Sequence, residues 1–314
     1  MSLKKLKEDI LRLKGEKDVT ILAHYYQDLE IQEIADFLGD SLGLSRTAKT
    51  KADTEYIIFA GVNFMAETAS ILNPEKHILM PADNACCPMA AFLTQEKIKR
   101  FKEEYPNLPA ITYVNSTAAV KAESDICCTS SNSIDITRKI TKEFEVDSAL
   151  FGPDANLADY VEQNSGINLI KMPEEGQCSV HSDLTINDLH SVKKEHENAK
   201  ILVHPECVRK VRKYADFVGS TAQMYNFVKE SPSNMNEFII GTEYGLLERL
   251  ATDFPEKKFY EPGNRMTCEN MKKNTLEMIK YLLENLDDNR YEIKVPSAIA
   301  ERALKPIEKM LDYS

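Results

Sequence analysis

Residues 56–73 read YIIFAGVNFMAETASILN: a β-branched and aromatic run, a glycine, then a stretch of helical character. The same order returns at 149–164, ALFGPDANLADYVEQN, and at 238–254, FIIGTEYGLLERLATDF. A second short apolar run ending at proline follows each: KHILMP (76–81), NLIKMP (168–173) and KKFYEP (257–262). Each then reaches a cysteine, Cys87, Cys178 or Cys268. Gly61 to Cys87 is 26 residues, Gly152 to Cys178 is 26, and Gly241 to Cys268 is 27. Equal cysteine spacing alone would be weak, but matched glycine and proline anchors mark an internal repeat of about 90 residues.

The first half of each unit repeats as well. VTILAHYYQ (19–27), AITYVNSTA (110–118) and KILVHPECV (200–208) read as strands with polar tips. A hydroxyl residue lies 17 positions beyond each tip: His24 to Ser41, Tyr113 to Ser130, and His204 to Thr221. Each unit therefore reads β-α-β-α-β-α-β, and strands apolar on both faces that alternate with helices indicate a parallel sheet covered by helices. The expected fold is α/β, with three homologous three-layer α/β/α domains around a pseudo-threefold axis. Their expected spans are 1–108 with an N-terminal helix, 109–198 and 199–270, and helices over 271–314 pack back on the body. Leu3, Leu6, Ile10 and Leu13 mark the N-terminal helix, with Gly15 as its stop. Met271, Leu276, Ile279 and Leu283 mark one tail helix. Ile299, Ala300, Leu304, Ile307 and Met310 mark another, which Pro306 should break or kink.

The bulk properties exclude several classes. A net charge of −11 argues against a nucleic-acid surface. No apolar run approaches the roughly 18–20 residues that cross a bilayer, and Glu8 and Asp9 interrupt anything resembling a signal peptide. A cytoplasmic location is expected. The seven cysteines are then thiols or metal ligands rather than a disulfide framework.

Ligands of open α/β sheets sit beyond the C-terminal strand ends. His24, Tyr113, Asn115, His204 and Glu206 lie at such ends, and the three repeated cysteines follow the last strand of each unit. Three domains facing one axis would bring these groups to one pocket. Converging thiolates bind zinc or iron–sulfur clusters. A cubane held by three cysteines instead of four keeps one iron open for catalysis. Cys127, Cys128 and Cys207, outside the repeat, read as small buried hydrophobes. Ser41, Ser130, Ser220 and Thr221 precede helical stretches, where they would cap the helix or help its free N–H groups hold an anionic substrate. His24, His181 and His204 suit acid–base or anion contacts, and Glu206 suits a general base. His77, His190 and His196 lie in polar stretches.

Assembled, the chain resembles the quinolinate synthase family over nearly its whole length. The motifs are AHYYQ (23–27), GDS (39–41), YVNS (113–116), CTSSN (128–132), FGPDANL (151–157), VHPEC (203–207), VGST (218–221) and MKKNTLE (271–277). The resemblance implies a [4Fe–4S] cluster on Cys87, Cys178 and Cys268 with one open iron. It implies condensation of iminoaspartate with dihydroxyacetone phosphate to quinolinate, phosphate and two waters. An L-aspartate oxidase or dehydrogenase would supply the iminoaspartate. It implies substrate contacts at His24, Ser41, Tyr113, Asn115, Ser130, His181, His204, Glu206, Ser220 and Thr221, with Tyr26 and Glu206 as catalytic residues. Tyr25 departs from the family pattern, which often has asparagine there. Cys86 stands where a small non-ligand residue is common, and the family's pattern selects Cys87 through Met89 and Ala90. Two rivals remain: a simple hydro-lyase, which needs no phosphate site, and a metal-sensing module, which needs neither Tyr26 nor Glu206.

Overall fold

The chain is described by a computed structural model covering residues 2–50, 53–263 and 265–314. The first sheet holds β1 (Val19–His24), β2 (Phe37–Gly39), β3 (Tyr56–Ala60) and β4 (His77–Leu79), in the order β2-β1-β3-β4. The second holds β5 (Ala110–Tyr113), β6 (Ile126–Cys128), β7 (Ser148–Gly152) and β8 (Asn168–Lys171), ordered β6-β5-β7-β8. The third holds β9 (Lys200–Val203), β10 (Phe217–Val218), β11 (Glu237–Gly241) and β12 (Lys258–Tyr260), ordered β10-β9-β11-β12. Every strand pair is parallel.

Helices cover both faces of each sheet, so strand residues are buried on both sides. In the third sheet Ile201, Val203 and Ile239 pack into one core, and Leu202, Phe238 and Ile240 pack into another. An aspartate before the second strand of each repeat adds a tie that the sequence reading missed. The carboxylates of Asp36, Asp125 and Asp216 accept the backbone N–H groups of Ile21, Ala110 and Ile201 at 2.8, 2.8 and 2.9 Å. Each aspartate lies 12 residues beyond the strand tip of its unit. A carboxylate there satisfies an N–H within the first three residues of the first strand.

The chain ends brace this frame. Leu6, Ile10 and Leu13 of the first helix pack with Leu276, Ile279 and Leu283. Ile10 is fully buried there, a burial that contributes roughly 1.5–3 kcal/mol. Ala303, Ile307 and Met310 pack into the core that joins the first and second sheets. Three expectations need correction. The first helix, Leu3–Lys17, passes through Gly15 and ends at Asp18, whose φ of 53° provides the left-handed cap. Met271 is not on the tail helix: Thr275 caps that helix, which spans Leu276–Glu284, and Met271 starts a separate short 3₁₀ turn. The last helix, Ser297–Tyr313, continues through Pro306 without a break. No described helix is long and apolar enough to cross a membrane.

Candidate active site

The repeat places three equivalent sets of side chains around one cavity. His24 and Tyr113 end β1 and β5, and His204 follows β9. Two residues further on stand Tyr26, Asn115 and Glu206. Ser41, Ser130 and Thr221 come from beyond β2, β6 and β10. Cys87, Cys178 and Cys268 come from the loops after β4, β8 and β12. All twelve line the cavity, and His181 joins them.

Local geometry repeats within the sets. The backbone N–H of Tyr26 donates to His24 Nδ1 at 3.1 Å, and that of Glu206 donates to His204 Nδ1 at 3.3 Å. Both imidazoles are therefore neutral, with Nε2–H as the remaining donor. Burial pushes both pKa values down to about 3, which keeps them uncharged at neutral pH.

A line of hydrogen bonds crosses the cavity wall. Thr221 Oγ1 donates to Tyr26 Oη at 3.0 Å. Tyr26 Oη meets Thr242 Oγ1 at 2.7 Å, and Thr242 Oγ1 meets His181 Nε2 at 2.8 Å. His181 Nδ1 lies 2.7 Å from Glu206 Oε2, and Tyr113 donates to Glu206 Oε1 at 2.7 Å. The directions follow from Thr221. Tyr26 Oη–H donates to Thr242, Thr242 donates to Nε2, and Nδ1–H of His181 faces the carboxylate. Burial opposes ionisation of Glu206. The hydrogen bonds from His181 and Tyr113 work against that and lower its carboxyl pKa. Burial and the Glu206 charge push both Tyr26 and Tyr113 well above the ordinary phenol value.

The structure divides the capping residues. Asp40 Oδ1 accepts the N–H of Gly43 at 2.9 Å, and Ser220 caps the helix Thr221–Glu230 through a reciprocal bond with Gln223. Capping thus falls to Asp40 and Ser220, and the hydroxyls of Ser41 and Thr221 are left on the cavity. Ser220 is fully buried behind the wall, where it donates to Asp40 Oδ2 at 3.2 Å. Tyr25 is also off the cavity and stacks on Tyr225 at 5.6 Å.

The cysteines separate as well. Cys86 is exposed, while Cys87 is half-buried on the cavity wall. Cys127 and Cys128 are buried at the end of β6, and Cys128 pairs with Tyr113 as Gly39 pairs with His24. Cys207 is buried, and its thiol faces the Gly241 carbonyl. Burial raises the Cys87 thiol to about 12 and the Cys178 and Cys268 thiols above their ordinary value, so a bound cation is what would ionise them.

Asp40, Thr129, Val62, Phe64, Met89, Val180 and Met271 also line the cavity. Asp40 and Thr129 were legible inside the GDS and CTSS motifs. Thr242 sits in GTEY but had no signal of its own. The donor set fits a soft metal group, since three thiols share one cavity. Asn115 Oδ1 is buried there without a hydrogen-bond partner among the described residues, as a ligand-facing group would be.

Residues 8–312 match the family described as Quinolinate synthetase A protein. The chain is 46% identical to a quinolinate synthase of Pyrococcus furiosus over 312 residues, covering 99% of each chain. It is 47% identical to one of Alkaliphilus metalliredigens, covering 97% of each. It is 42% identical to one of Thermotoga maritima, covering 97% of this chain and 98% of the other. The chain, an enzyme, belongs to the quinolinate synthase family.

Proposed function

We propose that the enzyme condenses iminoaspartate with dihydroxyacetone phosphate to give quinolinate, phosphate and two waters, a step of NAD biosynthesis in the cytoplasm. An L-aspartate oxidase or dehydrogenase would supply the iminoaspartate. The observation that carries this reading is the meeting of the three repeated cysteines with the repeated strand-tip groups in one cavity.

Cys87, Cys178 and Cys268 would hold a [4Fe–4S] cluster, whose open iron supplies a Lewis acid for loss of water. The neutral imidazoles of His24 and His204 offer Nε2–H donors to substrate carboxylates without the cost of a buried charge. Ser41, Ser130 and Thr221 present hydroxyls near helix N-termini, where free N–H groups favour phosphate and carboxylate. Asn115 adds an unpaired amide oxygen for an N–H of the substrate. Glu206, an ionised carboxylate held by Tyr113 and His181, accepts a proton from carbon or nitrogen. Tyr26, kept protonated by burial, would turn its O–H from Thr242 to a leaving hydroxyl and give up the proton there. The hydrogen-bonded line through Thr242 and His181 joins the two, and the proton taken up by Glu206 would return to Tyr26 along it once Thr242 and the His181 tautomer reverse.

One observation favours a second reading. Cys178, His181 and Glu206 offer ligand atoms within 4.8 Å of one another, a set suited to a single zinc ion. That reading leaves Cys87 and Cys268 without a role.

Anaerobic purification with iron, sulfide and zinc counted tests both, for wild type, Cys86→Ser and Cys87→Ser. About four irons per chain, kept in Cys86→Ser and lost in Cys87→Ser, with quinolinate formed by wild type, is the expected result. One zinc and no iron in all three would replace the cluster with the mononuclear site.

A further inference from the structure

The three cysteine loops share one backbone contact. The residue after the helix N-cap donates its N–H to the carbonyl two places before the cysteine in every repeat. The bonds are Asn63 to Ala85 at 2.8 Å, Ala155 to Gly176 at 2.7 Å, and Tyr244 to Met266 at 2.8 Å. This contact aligns Cys87, Cys178 and Cys268, and it also aligns the three N-caps, Val62, Asp154 and Glu243.

At that aligned place two repeats carry a buried carboxylate. Asp154 Oδ1 accepts the N–H of Leu157 at 2.6 Å, and its Oδ2 accepts the N–H of Cys178 at 3.1 Å. Glu243 Oε2 accepts the N–H of Gly245 at 2.7 Å, and its Oε1 accepts the N–H of Cys268 at 3.3 Å. Both side chains are 0% exposed. Each carboxylate thus uses one oxygen on the helix and the other on the cysteine, and Glu243 Oε1 also pairs with Lys272 Nζ at 3.2 Å. Capping accounts for the first bond alone. Val62 has no side-chain oxygen to offer Cys87. The loop of the first repeat is instead held by Asn274 of the C-terminal segment, whose Oδ1 accepts from Ala82 at 3.3 Å and whose Nδ2 donates to Gly61 at 2.9 Å.

We infer that Asp154 and Glu243 are positioning residues for the cysteines of the metal site. Each fixes the peptide plane before its cysteine, and so the direction of the Cα–Cβ bond, before any metal arrives. Outer contacts of this kind orient metal ligands, and their loss costs about 10–100-fold in metal affinity. The inference rests on the cluster reading above, since it concerns how the same cysteines are held.

The test separates the two bonds. Asp154→Ser keeps a good helix cap but has no second oxygen for Cys178. Asp154→Asn keeps the volume and presents an N–H₂ to the cysteine, and it serves if the serine variant does not fold. Glu243→Gln does the same for Cys268. Thr94→Ala removes a cap from the helix Gln95–Glu104, which carries no cysteine, and is the structural control. Each protein is reconstituted anaerobically with iron and sulfide, and iron release to excess chelator is followed. Release about 10–100-fold faster in the Asp154 and Glu243 variants, with Thr94→Ala like wild type, is expected. Release within twofold of wild type in the folded variants overturns the inference and leaves the cluster reading standing. A wild type that takes up no iron overturns both.

Discussion

Thr242→Val removes one hydroxyl and little else, because valine has nearly the same shape. Thr242 is 2% exposed, and its Oγ1 lies 2.7 Å from Tyr26 Oη and 2.8 Å from His181 Nε2. Tyr26 keeps the bond it accepts from Thr221 but loses the acceptor for its own proton. His181 Nε2 loses its donor. A buried polar group left unpaired costs about 1–3 kcal/mol, so the two together should destabilise the fold by about 2–6 kcal/mol. Turnover should fall further than stability accounts for. The substitution breaks the line between Tyr26 and Glu206, and positioned acid–base groups contribute about 10²–10⁴-fold. Quinolinate formation under anaerobic conditions should therefore drop by about 10²-fold at saturating substrate, with KM little changed. Thr242→Ser restores the hydroxyl and should recover most of the rate. A Thr242→Val enzyme that folds, loads iron and turns over within twofold of wild type would refute a role for this line in turnover.

Three further outcomes are expected. His24 and His204 bind protons less readily when folded (about 3) than when unfolded (6.5), so stability is full above pH 6.5 and is lost as pH falls toward 3. Each contributes up to about 1.4 kcal/mol per pH unit, and His204→Asn should flatten the acid limb of the melting curve by that amount between pH 6.5 and 5. Glu243, raised by burial to about 7, works in the opposite direction, so the comparison must be made between the variant and wild type. Ser220→Ala removes a cap and the bond to Asp40, and should cost about 1–2 kcal/mol in denaturant unfolding with a small change in KM; a tenfold rise in KM would return Ser220 to the substrate. Ile10→Ala should cost about 2–5 kcal/mol in unfolding and leave iron content unchanged, because Ile10 packs the first helix against the tail helix, away from the cavity.

The sequence by itself determined the repeat, the parallel α/β units and the candidate cysteines. These are properties of spacing: a strand, a tip residue, a hydroxyl residue 17 positions later and a cysteine beyond the last strand recur in order along the chain. What spacing leaves open is direction and neighbours. Cys86 and Cys87 differ by one position, and a bond between the Asn63 N–H and the Ala85 carbonyl, made only on folding, fixes which of them lines the cavity. Ser220 and Thr221 are adjacent in the same way, and the capping bond to Gln223 turns one inward and leaves the other on the wall. Thr242 follows Gly241 in a motif that reads as packing, and it becomes part of the site through Tyr26, which is 216 residues away. Asp154 and Glu243 look like ordinary helix caps along the chain. Their second oxygen finds a cysteine only because the loop beyond the next strand folds back over the same helix end.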